Sequence, residues 1–127
     1  MVNVAGRKAR GIRTQAVLAQ RWRDNGMFPY ATDAGPGRSG NDILNAPGLN
    51  VEVKATGEKL SLMACLRQAL AGGTPWWVSI LVWRHNGQGE KGMDDWTVSM
   101  SLIDFERLWK IKAEYVKTLE EGNDASP

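Results

Sequence analysis

The chain alternates between two hydrophobic periods, and the switches between them mark its elements. From Gly11 to about Asn25, the apolar residues Ile12, Ala16, Val17, Ala19 and Trp22 share a broad helical face, and Gly26 stands where a helix should stop. Met27 to Ala31 reads as a short extended piece, and Pro29 bars it from a central strand position. A glycine-rich loop, Asp33 to Asn41, leads into a short strand at Asp42-Ile43-Leu44. Asn45-Ala46-Pro47-Gly48 is a turn, with proline and glycine at turn-favoured positions. From Leu49 to Ala55 the period is two: Leu49, Val51, Val53 and Ala55 on one side, Asn50, Glu52 and Lys54 on the other. Residues 42–55 therefore form a hairpin.

A second helix runs from Ser61, a serine N-cap, to Ala71, with Leu62, Cys65, Leu66, Ala69 and Leu70 on one face and Gly72-Gly73 as its stop. Trp76 to Trp83 is a strand apolar on both sides, as expected in a sheet covered on both faces. His85 to Gly92 is a polar loop, and Asp95 to Met100 alternates again through Trp96, Val98 and Met100. A third helix occupies Ser101 to Lys117, with Ile103, Phe105, Leu108, Trp109 and Tyr115 as its apolar residues. The order α, β, β, α, β, β, α describes an α/β fold, a small mixed sheet flanked by helices.

At 127 residues and 14.0 kDa the chain is one domain. Its expected span is 11–118, between a basic tail at 1–10 and a disordered polar tail at 119–127. No run approaches the ~18 apolar residues of a membrane span, and the N-terminus has no apolar core of a signal peptide. These features point to a cytoplasmic protein. One cysteine, Cys65, and one histidine, His85, exclude an internal disulfide and a multi-cysteine zinc site, so a metal would be held by oxygen. Net charge is only +2, but residues 1–40 carry +5 and residues 68–127 carry −3. A basic N-terminal part suits contact with a polyanion.

The acidic residues inside strands are the informative ones. Glu52 and Lys54 share the polar face of one hairpin strand, and Asp42 begins the other, so the three can converge. Two carboxylates and a backbone carbonyl can hold Mg²⁺, with water and phosphate oxygens completing the shell. A lysine beside them can position water and counter charge growing on phosphorus.

The stretch Gly37-Arg38-Ser39-Gly40-Asn41-Asp42-Ile43, then Val51-Glu52-Val53-Lys54-Ala55, resembles the signature of the PD-(D/E)XK nucleases, in particular the small Holliday-junction-resolvase-like group often carried by phages. The resemblance runs from about Gly11 to Trp109, with the motif on residues 38–55. It implies a restriction-endonuclease-like core of order α-β-β-β-α-β and Mg²⁺- or Mn²⁺-dependent hydrolysis of branched DNA that leaves a 5′-phosphate. A twofold homodimer is implied with it, and a location inside the bacterial host cell if a phage encodes the protein. Carried over residue by residue, Asp42, Glu52 and the carbonyl of Val53 would bind the ion. Lys54 and Gln68, in Leu66-Arg67-Gln68-Ala69, would complete the catalytic set. Gln15 falls where the group carries a metal-binding glutamate in the first helix, and it brings no charge. Asn41 replaces the leading proline. Arg7, Lys8, Arg10, Arg13, Arg38, Ser39 and Arg67 are the candidate DNA contacts.

Two other functions fit the same residues. One is a general phage or mobile-element nuclease without branch preference. The other is a catalytically silent DNA-binding module, which the missing helix-one glutamate favours. The chain also has six tryptophans. Trp22, Trp96 and Trp109 each fit an apolar helix or strand face, whereas Trp76 and Trp77 cannot both point one way on a strand, which suggests a second layer, a partner subunit or DNA.

Overall fold

The computed structural model describes residues 4–27, 30–31, 42–55 and 61–124. Helix α1 (Val4–Asp24) is followed by strands β1 (Tyr30–Ala31), β2 (Ile43–Leu44) and β3 (Leu49–Ala55), helix α2 (Leu62–Ala71), strand β4 (Val78–Arg84), a 3₁₀ segment (Glu90–Asp95), strand β5 (Thr97–Ser99) and helix α3 (Leu102–Asp124). The strands form one five-stranded mixed sheet in the order β1-β2-β3-β4-β5. Among the described strands only β3 and β4 run parallel, joined across the sheet by α2; the remaining neighbours are antiparallel.

The hairpin between β2 and β3 is set by its turn. Leu49 N–H donates to Ala46 C=O at 3.0 Å, with Pro47 at the first central position and Gly48 at the second with φ +87°. That is a type II turn, whose second central position needs the left-handed freedom of glycine. It fixes the register at Ile43 opposite Val51. Alternation then assigns each residue of β3 to a face. Val51 and Val53 turn to one side with Ile43, Val78, Ile80 and Val82, and α1 seals this layer with Leu18 and Ala19. On the other side, Leu81 packs under Cys65 and Leu66 of α2. Strand β4 is buried from Val78 to Val82, as a strand covered on both faces must be.

Both helix ends expected around the core are present. The Ser61 hydroxyl accepts from Ala64 N–H and caps α2. Helix α1 ends at Gly26, with Met27 N–H on Trp22 C=O and Gly26 N–H on Arg23 C=O, the paired bonds of a Schellman stop.

Several boundaries differ from the sequence reading. Helix α1 begins at Val4, so part of the expected tail at 1–10 is helical; Ala5, Arg7, Lys8, Ala9 and Arg10 are good helix formers that outweigh Gly6 and Gly11. Strand β4 starts at Val78 rather than Trp76, and Trp76 and Trp77 meet edge to face in the turn before it, with Trp76 76% exposed. The loop expected at His85 to Gly92 gives way to 3₁₀ structure from Glu90. Helix α3 runs on to Asp124, through most of the expected polar tail, because Glu120 and Glu121 favour helix as readily as solvent. Trp109 lies on no packed face: it is 63% exposed.

One polar residue ties the sheet to the loop before β4. Asn50 is fully buried; its Nδ2 donates to Thr74 C=O (2.9 Å) and the Ser79 hydroxyl (3.2 Å), and its Oδ1 accepts from Thr74 N–H (2.8 Å). Replacing Asn50 by alanine removes all three bonds and leaves the Thr74 groups to find other partners. The expected cost is about 2–4 kcal/mol, read as a lower urea midpoint with unchanged slope. A loss below about 1 kcal/mol would show that Asn50 does not pin this loop.

Candidate functional site

Three chemistry-bearing side chains meet at one end of the sheet, on the face covered by α2. The hairpin register continues one residue back from Ile43–Val51 to put Asp42 opposite Glu52. Backbone pairing gives out there, and the Asp42 side chain takes over: Val53 N–H donates to Asp42 Oδ2 at 2.7 Å, while Asp42 N–H still bonds Val51 C=O at 3.0 Å. The carboxylate thus stands in for a missing ladder acceptor, which holds it beside Glu52. Two residues along β3, Lys54 Nζ reaches Glu52 Oε1 at 3.2 Å.

Like charges directly opposite on a sheet repel, and here both carboxyls are also shielded from water. Glu52 is only 3% exposed, and its Oε2 is buried without a hydrogen-bond partner. Burial, then the neighbouring Asp42, push its pKa up to about 7, against the pull of Lys54. Burial also raises Asp42, offset in part by the Val53 N–H and by Lys54. The pair therefore resists carrying two negative charges unless a further cation joins Lys54.

Side chains around this group complete the site. Cys65 of α2 is buried, and its thiol is pushed up by burial, with Lys54 and Glu52 near enough to act on it in opposite directions. Trp83 lies beside Lys54 in the β3–β4 register, and His85 stacks on it with ring centroids 4.2 Å apart. The sequence reading passed over this aromatic wall. Its only signal was the period-two spacing of Leu81, Trp83 and His85, which cannot say which strand lies alongside.

The other expected site residues are dispersed. Gln68 is exposed on α2, whose buried positions are Cys65, Leu66 and Ala69. Arg67 is also exposed. Gln15 lies on α1, and thus across the sheet from Glu52; its Oε1 is buried without a partner. It sits one residue from Thr14, whose hydroxyl accepts from Arg84 at the strand end paired with Ala55. Gln15 is thus at the same end of the sheet as the carboxylates, on the opposite layer. Arg13 is engaged by Glu90 at 2.9 Å, and Arg10 donates to His85 C=O at 3.3 Å. Arg7 and Lys8 belong to α1, but their side chains lie outside the described residues, as do Arg38 and Ser39 altogether.

The two carboxylates, one of them with a buried oxygen that has no hydrogen-bond partner, are oxygen donors of the kind a hard divalent cation takes. Among the described residues no three His, Cys, Asp or Glu side chains gather into a metal cluster, so the remaining ligands would be carbonyl, water or phosphate oxygens. No described helix is long and apolar enough to cross a membrane. Comparison with protein-family models, curated proteins and solved structures gives no match to this chain.

The shifted carboxyl has a consequence for stability. Unfolded, Glu52 titrates near 4.5; folded, near 7. Between those values the folded chain holds more protons than the unfolded one, so stability falls as pH rises through that window. The expected loss from Glu52 is about 3 kcal/mol. Thermal melts in EDTA should show wild type losing stability from about pH 4.5 to about pH 7, and Glu52→Gln losing much less. Parallel curves for the two proteins would mean that Glu52 is not held as described.

Proposed function

We propose that the protein is a metal-dependent endodeoxyribonuclease that hydrolyses phosphodiester bonds in branched DNA, in the manner of the Holliday junction resolvases of the PD-(D/E)XK class. The observation that carries this reading is the Asp42–Glu52 pair, in which Glu52 is buried with one unbonded oxygen and Lys54 3.2 Å from the other. Order is consistent with it: α1-β1-β2-β3-α2-β4 follows the α-β-β-β-α-β plan of the restriction-endonuclease-like core, with the motif on the paired strands β2 and β3.

In this reading Asp42, Glu52 and the Val53 carbonyl hold Mg²⁺ or Mn²⁺. When bound, the ion polarises the scissile phosphate and lowers the pKa of a coordinated water. Asp42 is kept in place by the Val53 N–H, so the site is preformed rather than assembled on binding. Lys54 turns from neutralising Glu52 to stabilising the charge that develops on the phosphate. The resemblance gives Gln68, exposed on α2, the part of orienting the attacking water. The basic first helix supplies phosphate contacts, with Arg10 and Arg13 first exchanging their present partners for DNA. DNA is the partner, and the enzyme acts inside the cell.

A second reading has its own observation. The resemblance aligns Gln15 of the first helix with a third anionic ligand, but Gln15 is uncharged and its buried oxygen lies on the opposite layer from the carboxylates. A site so short of charge suits a DNA-binding module that no longer cuts.

Labelled four-way junction, linear duplex and single strands, each incubated with Mg²⁺ or with EDTA, separate these possibilities. The expected result is Mg²⁺-dependent cutting of the junction above the others. Asp42→Asn and Glu52→Gln should abolish cutting while sparing DNA binding, and Lys54→Met should slow it by at least about 10²-fold. Equal cutting of every substrate would indicate a general nuclease, and binding without cutting in any metal a silent module. Full activity in any of the three variants would end the active-site assignment.

A further inference from the structure

The sheet places two stacked rings one strand away from Lys54. Lys54 is opposite Trp83 in the parallel β3–β4 register, and Trp83 is opposite Thr97 in the antiparallel β4–β5 register. Residues paired across neighbouring strands share a face, so Lys54, Trp83 and Thr97 form a row on the face that carries Asp42 and Glu52. Neighbouring strands lie about 5 Å apart, which is one to two nucleotides of a DNA strand at roughly 3.4 Å each. A phosphate held at Lys54 therefore brings an adjoining base to these rings.

His85 is the outer ring of the pair. Its imidazole stacks on the Trp83 indole, with centroids 4.2 Å and planes 25° apart. Trp83 in turn packs on Leu81, Cys65 and Leu66, so the core backs the stack. His85 lies past the end of β4, followed by exposed Asn86 and Gly87, yet it is held firmly. Its N–H donates to Gln88 Oε1 at 2.8 Å, its C=O accepts from Arg10 at 3.3 Å, and its Nε2 shares a 3.0 Å hydrogen bond with the Thr97 hydroxyl. All three bonds meet the residue at its backbone or its ring edge. Among the described residues, no second ring stacks on its other face. A half-buried flat ring, fixed at its edge and backed by a tryptophan, is preorganised to take another flat ring.

We infer that His85, backed by Trp83, is the stacking platform for a nucleobase next to the phosphate bound at Lys54. This inference rests on the reading of Asp42, Glu52 and Lys54 as a phosphodiester-cleaving site. Inside an intact duplex both faces of a base are covered by its neighbours, and unstacking it costs free energy. The base is available without that cost where a neighbour is missing, as at a branch point or on a single strand. His85 thereby favours branched over linear DNA, and it does so without reading sequence, because every base has a π-face.

The test is a cycle between His85 and the base. The cut sites of a labelled four-way junction are mapped in Mg²⁺, and an abasic residue is then placed on either side of the cleaved phosphate. With wild type, one of the two positions should slow cutting about 5- to 150-fold, the range for one stacked base. Exchanging that base for another should change the rate less than about threefold. With His85→Ala the same abasic residue should cost less than about twofold, since the stacking is already lost. With His85→Phe, which keeps a ring and gives up the Thr97 bond, the cost should return. Binding in EDTA, with the abasic residue stepped through the branch point, reads the same cycle for a site that does not cut. A role confined to securing the end of β4 would lower the urea midpoint of His85→Ala and leave the abasic cost as in wild type. That result, or no abasic cost at any position in wild type, would overturn the inference alone. No cutting and no binding of any DNA would overturn the nuclease reading and this inference with it.

Discussion

Everything at the candidate site follows from placing Glu52 on the inner face of a central strand. A carboxylate taken out of water is stable only when paired and hydrogen-bonded, and this one has Lys54 on Oε1, the Asp42 carboxyl against it and no hydrogen-bond partner on Oε2. Its cross-strand neighbour is a second carboxylate. The fold tolerates this because Asp42 is itself useful there: it satisfies the Val53 N–H where β2 stops pairing. The surrounding packing is firm enough to hold the arrangement. Val51 and Val53 anchor β3 from below, Leu81 with Cys65 and Leu66 closes it from above, and the type II turn at Gly48 sets the register that brings Asp42 and Glu52 face to face. This local electrostatic deficit, held by ordinary packing around it, is the feature on which the proposed cation site rests.

Much of this was legible in the residues. The alternation Leu49 to Ala55 reproduces β3 residue for residue, because the apolar face packed against α1 leaves no freedom in register. Pro47-Gly48 announced the turn and Ser61 the start of α2, since each performs a local backbone task that few residues can. Pro29 excluded a central position for its segment, and β1 is indeed the edge strand. The convergence of Asp42, Glu52 and Lys54 follows from the hairpin alone.

What was not legible depends on tertiary context. Alternation assigns Glu52 and Gln15 no common frame, because periodicity does not say which helix covers which face; α1 and the carboxylates lie on opposite layers. The aromatic wall of Trp83 and His85 depends on β4 lying parallel to β3, a pairing made over the length of α2. Arg13 looks like a phosphate contact in the sequence and is met instead by Glu90, 77 residues away. Helix α3 posed the opposite difficulty. Its apolar residues read as a core face, yet among the described residues no layer covers them, and Trp109 is 63% exposed.

The central claim is that the Asp42–Glu52 pair is a cation site, and ion binding measured without any DNA tests it most directly. Isothermal titration of the full chain with Mn²⁺ near pH 7, where Glu52 still holds part of its proton, should show saturable binding accompanied by proton release from the pair. Glu52→Gln and Asp42→Asn should each weaken that binding at least about tenfold and remove the proton release. Binding of equal strength in wild type and both variants, or none in wild type, would contradict the account.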